Sequence, residues 1–226
     1  MIEDDMVQLA LRAKLATLLV ATTGSISMST TATGGEDGAS AFGRAAGNFT
    51  ADKLRVGMEV LAAGFPAAAN GAATITHLTP TIATVNKTLP NAVAAGARSL
   101  IVGLPQLVSW ENVPFDAQQG RPYFEEQYLP GGSFQKTNGY LEVTPEYLLN
   151  IFVPKGAGIS ADSKYVNALR VMFAPGTPIT LSNGERIIVR RDIAPGKKGR
   201  QFPDLLPGFV VAQFVIPLRL HTLNSI

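Results

Sequence analysis

The sequence predicts an α+β fold: a mostly antiparallel β-sheet flanked by two helices, with a small all-β domain inserted after the first helix. Three observations predict it. Apolar residues recur at helical spacing near the start of the chain and again after Ser160. Between Leu107 and Leu220 the sequence otherwise runs in β-type segments divided by Gly, Pro and Asn. Residues 49–103 hold a denser series of short β runs with turn signals of their own.

Residues 3–22 read as the first helix. Val7, Leu11, Leu15 and Leu18 recur at i, i+4, i+8 and i+11, and Met6, Leu9, Ala10 and Ala13 widen the stripe. Glu3, Asp4 and Asp5 fall in the first turn, where carboxylates favour the positive end of the helix dipole. The same acidic leader argues against reading Leu15–Ala21 as a secretory core, which wants positive charge before it. Thr22, Thr23 and Gly24 stop the helix. Residues 25–47 are then almost all Ser, Thr, Gly and Ala, a composition with little to bury, and they read as a flexible linker or long loop.

From Phe49 the pattern changes to strands at Leu54–Ala62, Ala73–Leu78, Ile82–Val85 and Ser99–Val102, with Asn70-Gly71 as a turn. Pro66, Pro80 and Pro90 lie between these runs, where a missing N–H costs no ladder bond. The first architecture then resumes, with strands at Leu107–Trp110 and Tyr123–Leu129 and a loop at Gly131-Gly132. A long strand over Tyr140–Val153 carries Pro145, which marks a bulge or an edge. A second helix starts at Ser160, buries Tyr165, Val166, Leu169 and Phe173, and ends at Pro175-Gly176. Ile179–Leu181 and Glu185–Arg191 flank the Ser182-Asn183-Gly184 turn of a hairpin, and Phe209–Leu220 is an apolar closing strand. The domain division is therefore a core of residues 1–24 and 104–226, a Ser/Gly/Ala-rich linker at 25–48 and an inserted β domain at 49–103.

Composition narrows the function. A hydrophobic content of 46% against 16% charged residues indicates a folded chain. The formal net charge of +2 is too small to imply nucleic-acid binding by itself. With no cysteine, disulfides, thiolate metal sites and Cys nucleophiles are excluded. His77 and His221 lack ligand spacing, so no metal site and no cofactor are expected. Glu125 and Glu126 are adjacent in a strand and point to opposite faces, so they do not converge on one substrate. Gly196-Lys197-Lys198-Gly199 lacks the length and the Ser/Thr of a phosphate-binding loop, and Gly131-Gly132-Ser133 lacks a nucleophile elbow. No apolar run is long enough to span a bilayer, so no membrane partner is expected. The chain is not expected to be an enzyme.

Five segments carry a likeness. They are Trp110-Glu111-Asn112-Val113-Pro114-Phe115, Pro122-Tyr123, Gly139-Tyr140, Val153-Pro154-Lys155-Gly156-Ala157-Gly158 and Ile216-Pro217-Leu218. In this order and spacing they resemble the phage tail-terminator (tail-completion) family, which has W-x-N-x-P-F by its first strand, a strand opening P-Y, a P-x-G-x-G turn before the second helix and a closing P-aliphatic pair. The likeness covers residues 1–22 and 105–226, and the large insert departs from the plain family pattern. Within the insert, Gly64, Phe65, Asn70, Gly71, Ile75, Thr76, Thr79, Thr84 and Val85 resemble a β module found in phage virion proteins.

The resemblance implies a structural virion protein, made in the bacterial host cytoplasm. It implies a homo-hexameric ring on the head-proximal end of the tail tube, in contact with the tail-tube protein and a neck or connector protein, with DNA passing non-specifically through its lumen. Other neck, head-completion or tail-tube roles, or a binding module acting through the inserted domain, are the alternatives. Arg186, Arg190, Arg191, Lys197, Lys198 and Arg200 concentrate positive charge near the hairpin and are the candidates for a lumen-facing or ring-interface surface; a plain solvated loop is the other reading. Phe115 and Tyr123 border an exposed Pro/Gly/Gln connection and are candidate interface aromatics as well as core residues.

Overall fold

The computed structural model describes residues 4–91, 96–111, 113–137, 140–155, 160–190 and 208–223. Helix α1 spans Asp4–Leu15 and is followed by β1 (Leu19–Thr22), β2 (Ile26–Thr31), a 3₁₀ turn at Glu36–Gly38, β3 (Ala41–Arg44), β4 (Glu59–Ala63), β5 (Gly71–Leu78), β6 (Ile82–Val85) and β7 (Gly96–Gly103). The second half holds β8 (Val108–Ser109), β9 (Tyr123–Leu129), β10 (Ser133–Thr137), β11 (Tyr140–Val143), β12 (Glu146–Pro154), α2 (Ser160–Met172), β13 (Pro178–Thr180), β14 (Arg186–Val189) and β15 (Phe209–Leu223).

The first seven strands form an antiparallel sheet in the order β1-β7-β2-β3-β6-β5-β4, and β4 pairs back onto β7 to close a small barrel. β1 and β2 share one edge of β7, with Leu19 opposite Gly103 and Thr22 opposite Ile101, then Ile26 opposite Arg98 and Met28 opposite Gly96. They act as one composite strand bent at Gly24, whose φ of +64° is a conformation glycine adopts without a Cβ penalty. Closure pairs most strand edges, which is how small β structures avoid templating other chains.

This barrel corrects two sequence expectations. The first helix ends at Leu15 rather than at Thr22, because residues 19–22 pair with β7. Leu15 and Leu18 fit a helical stripe, yet both are equally buried at the junction of a helix and a strand. Residues 25–48, read as a linker, contain β2 and β3. Met28, Ala41 and Phe42 from that segment are buried, and the barrel interior mixes small Ala and Thr with larger residues such as Phe42, Met58, Ile75 and Leu100. The strands at 49–103 thus do not complete the sheet by themselves; β1, β2 and β3 do.

The second sheet runs β8-β9-β12-β15, with β8 parallel to β9 and the rest antiparallel. Beyond Pro217, β15 continues onto β11 and β10, while its other edge takes β14 and β13. The expected strand over 140–153 is divided at Thr144-Pro145 into β11 and β12, both paired with β15: Val143 lies opposite Leu220 and Glu146 opposite Pro217. Pro145 still accepts a bond from the Leu218 N–H at 2.9 Å. β10, absent from the sequence reading, follows the expected Gly131-Gly132 loop.

Both helices pack on the face of this sheet formed by Phe124, Tyr147, Leu149, Ile151 and Phe214, and α2 also contacts β1 of the barrel. Tyr165 of α2 meets Phe124 edge-on at 5.3 Å. Arg12 of α1 pairs with the buried carboxylate of Glu126, which also accepts the Tyr147 hydroxyl and the Glu111 N–H, and the same guanidinium lies 5.1 Å from the Trp110 ring centre. Arg121 reaches across to Glu59 of β4 at 2.6 Å, and the Gln106 N–H donates to the same carboxylate at 2.7 Å. One contiguous apolar core includes residues of both sheets and both helices. The coarse α+β reading holds.

Candidate assembly interface

Side chains alternate across a strand, so β9, β12 and β15 present a second face away from the helices. On β9, Phe124, Glu126 and Tyr128 point inward, leaving Tyr123, Glu125 and Gln127 outward. The pairing places Phe152 opposite both Tyr123 and Val211, and Asn150 opposite both Glu125 and Gln213. This register sorts the outer face into chemically distinct rows.

The first row is aromatic. Tyr123 stacks on Phe152 with ring centres 4.2 Å apart and planes 6° from parallel, and meets Phe209 edge-on at 5.3 Å. Phe115 joins at 5.0 Å from Tyr123, and Leu107 and Val211 complete a cluster separate from the main core. Burial, with the Glu125 charge adding to it, pushes the Tyr123 phenol up to about 12. The second row is polar: Asn150 donates to Glu125 at 2.9 Å and accepts from Gln213 at 3.2 Å. Glu125 and Glu126 therefore serve different faces, as strand alternation requires. Leu129 at the end of β9 and Phe134 on β10 are 38% and 63% exposed, large values for apolar side chains.

Of the predicted interface pair, Phe115 is half-buried and Tyr123 buried, and they touch. Sequence reasoning missed Phe152 and Phe209 as their partners. The available signal was strand parity, since Phe152 alternates with Ile151 and Val153 on β12. Of the predicted basic cluster, Arg186 is exposed on β14; Arg190 is half-buried just after it, and its N–H donates to the Pro217 carbonyl at 2.9 Å. Arg191, Lys197, Lys198 and Arg200 lie outside the described residues. Among the described residues no cluster of carboxylates and histidines suited to a metal occurs, and no helix is long and apolar enough to cross a membrane. Phe65, the sole aromatic in residues 50–103, is buried between Phe42 at 5.0 Å and the Arg98 guanidinium at 4.8 Å. The barrel therefore offers a sugar no exposed ring.

Residues 88–201 match the family model described as phage tail terminator protein. The chain belongs to the phage tail terminator family. Its role is that of a structural protein of a phage tail, a virion component. The matched range contains four of the five sequence segments that carry the resemblance, from Trp110 to Gly158; Ile216-Pro217-Leu218 lies beyond it. It also contains β9 and β12, two of the three strands of the outer face. No curated protein matches the chain. A solved structure is similar to it at 15% identity, covering 55% of this chain and 82% of that one, with a TM-score of 0.38.

Proposed function

We propose that this terminator-family chain assembles as a homo-hexameric ring on the head-proximal end of the tail tube, where it stops tube growth and joins the tail to the neck. Membership of the family over residues 88–201 is the observation that carries the reading. The mechanism is geometric occlusion. A ring seated on the last tube layer covers the surface that would template the next one, and closed cyclic symmetry leaves no further subunit site in the plane of the ring.

The outer face of β9, β12 and β15 supports this reading. Tyr123, Phe152, Phe209 and Val211 are already buried within the chain, and what the face leaves accessible is the half-buried edge of Phe115, the polar row, and exposed Leu129 and Phe134. Its contacts in the particle are other copies of the chain, the tail-tube protein or the neck protein. Arg186 and Arg190, with Arg191, Lys197, Lys198 and Arg200, are assigned to the lumen, where DNA passes without base-specific contact and phosphate attraction falls with salt. Synthesis takes place in the host cytoplasm and the protein ends at the head-proximal end of the tail.

Deleting the coding sequence from the phage and imaging the lysate tests the mechanism. Tails of uncontrolled length that fail to join heads, restored to normal by the protein supplied in trans, are expected. Tails of normal length joined to heads contradict it.

A further inference from the structure

A second surface, on the side of the second sheet that carries the helices, carries unbalanced charge. Between α2, the end of α1 and β1 lies a cleft of about 500 Å³ whose walls include Lys14, Lys53, Lys164 and Asn167. None of the three ammonium groups has a carboxylate partner among the described residues; Lys14 lies 5.9 Å from the Phe173 ring centre, and Asp52, the nearest acid in sequence to Lys53, is taken by Arg44. The rim is apolar and open, with Leu19 57% and Val171 80% exposed. β1 pairs only with β7 among the described residues, so its other edge borders the cleft with unused backbone groups. A surface that gathers like charges beside exposed apolar side chains and a free strand edge suits an acidic loop or extended segment of a protein.

The chain presents such a loop itself. The Glu36–Gly38 turn carries Glu36 and Asp37, both exposed, between Gly34, Gly35 and Gly38. It is held in shape: the Gly35 N–H donates to the Ala39 carbonyl at 2.8 Å, the Ala39 N–H to the Glu36 carbonyl at 3.0 Å and the Glu36 N–H to the Thr84 hydroxyl at 3.0 Å. The His77 ring stands 3.7 Å from Glu36 and is half-exposed. Asp37 sits at φ +53°, in the left-handed region that Asp and Asn enter more readily than other non-glycine residues. The turn is therefore ordered before any contact, which lowers the entropy cost of docking.

Position decides how the two surfaces can meet. The composite strand β1–β2 starts at Leu19, on the cleft, and ends at Thr31, a short way before the Glu36–Gly38 turn. Cleft and turn lie at opposite ends of that strand, so one molecule does not close on itself through them. Two different, complementary patches on one chain make a head-to-tail contact, the kind that generates rings. We infer that the lysine cleft receives the Glu36–Asp37 turn of a second copy of this chain. The inference rests on the ring reading and assigns it a charged subunit contact; a nucleic-acid strand in the cleft is the competing occupant.

Charge exchange tests it on the full-length protein by sedimentation velocity. The Lys53→Glu/Lys164→Glu variant and the Glu36→Lys/Asp37→Lys variant each change exposed or half-exposed side chains, and their melting curves check folding. Each alone is expected to weaken self-association about tenfold or more, and mixing the two variants, or combining all four changes in one chain, is expected to restore it. Raising salt should weaken wild-type assembly. Undiminished assembly of both variants overturns the inference and leaves the ring reading intact, as does a cleft variant that loses duplex DNA binding while its oligomeric state is unchanged. A wild-type chain that stays monomeric in solution overturns it too, whereas the ring reading itself fails only if the protein is also missing as a ring from tails.

Discussion

Glu126 is the buried acid that ties α1 to the second sheet. Its carboxylate is buried and receives Arg12, the Tyr147 hydroxyl and the Glu111 N–H. Removing the cation with Arg12→Ala leaves a buried charge with only two neutral donors. We expect a loss of about 2–3 kcal/mol in urea unfolding, below the full buried-pair cost because Arg12 is partly exposed. Most of it should return in the Arg12→Met/Glu126→Gln double variant, and an additive double variant would contradict the assignment. Gly131 is the corresponding backbone case. A Cβ there would stand 1.9 Å from the Thr144 carbonyl oxygen, so Gly131→Ala must displace the β10 start and should lower stability by about 1–3 kcal/mol. An unchanged midpoint would show that the segment yields freely. The buried tyrosines add a pH dependence. Burial raises the phenols of Tyr123, Tyr128 and Tyr147, that of Tyr123 to about 12. A folded-state value above the unfolded one stabilises fully below the ordinary value near ~10 and is lost as pH rises through the folded value. The melting temperature should fall between pH of about 10 and 12 in step with phenolate absorbance; a flat profile across that window would contradict the burial.

At the scale of elements, the strands of the outer face carry a sharper expectation. Phe115 is half-buried and contributes an exposed edge to the aromatic cluster, so Phe115→Ser should leave the fold intact while weakening assembly; in an interface core such an anchor is worth about 2 kcal/mol. Native mass spectrometry reads the outcome, and full assembly of the variant would move the interface elsewhere. The elements also show what was legible. β6 and β9, the start of α2 and the 13–14 hairpin follow from alternation, helical period and the Ser182-Asn183-Gly184 turn, because each is bounded by residues with strong local preferences. β1 was illegible because Leu11, Leu15 and Leu18 satisfy a helical period while the pairing of residues 19–22 with β7 is a long-range fact. β2 and β3 were illegible because their few buried residues, Met28, Thr30, Ala41 and Phe42, are scattered among Ser, Thr, Gly and Ala that read as linker composition in isolation. The outer aromatic row shows the same limit: Phe115 and Tyr123 stood out in sequence, but Phe152 and Phe209 join them only through register.

For the whole molecule, family membership supplies the assignment to a phage tail and the structure supplies candidate surfaces. The outer face of the second sheet exposes the Phe115 edge, Leu129 and Phe134 beside a polar row, the cleft beside α2 is cationic, and the Glu36–Asp37 turn is anionic. A ring uses such non-identical surfaces in different directions, between neighbours and along the tail axis. The lumen assignment of the basic segment has its own check: Lys197→Glu/Lys198→Glu/Arg200→Glu should impair DNA delivery in a salt-sensitive manner, and normal infectivity would place that segment outside the channel. The central claim, a single terminating ring, is tested most directly by the copy number of the protein in purified phage particles, measured by quantitative mass spectrometry against labelled peptides. One ring's worth per particle is expected. A copy number on the scale of the tube or the shell, or absence from the particle, would contradict it.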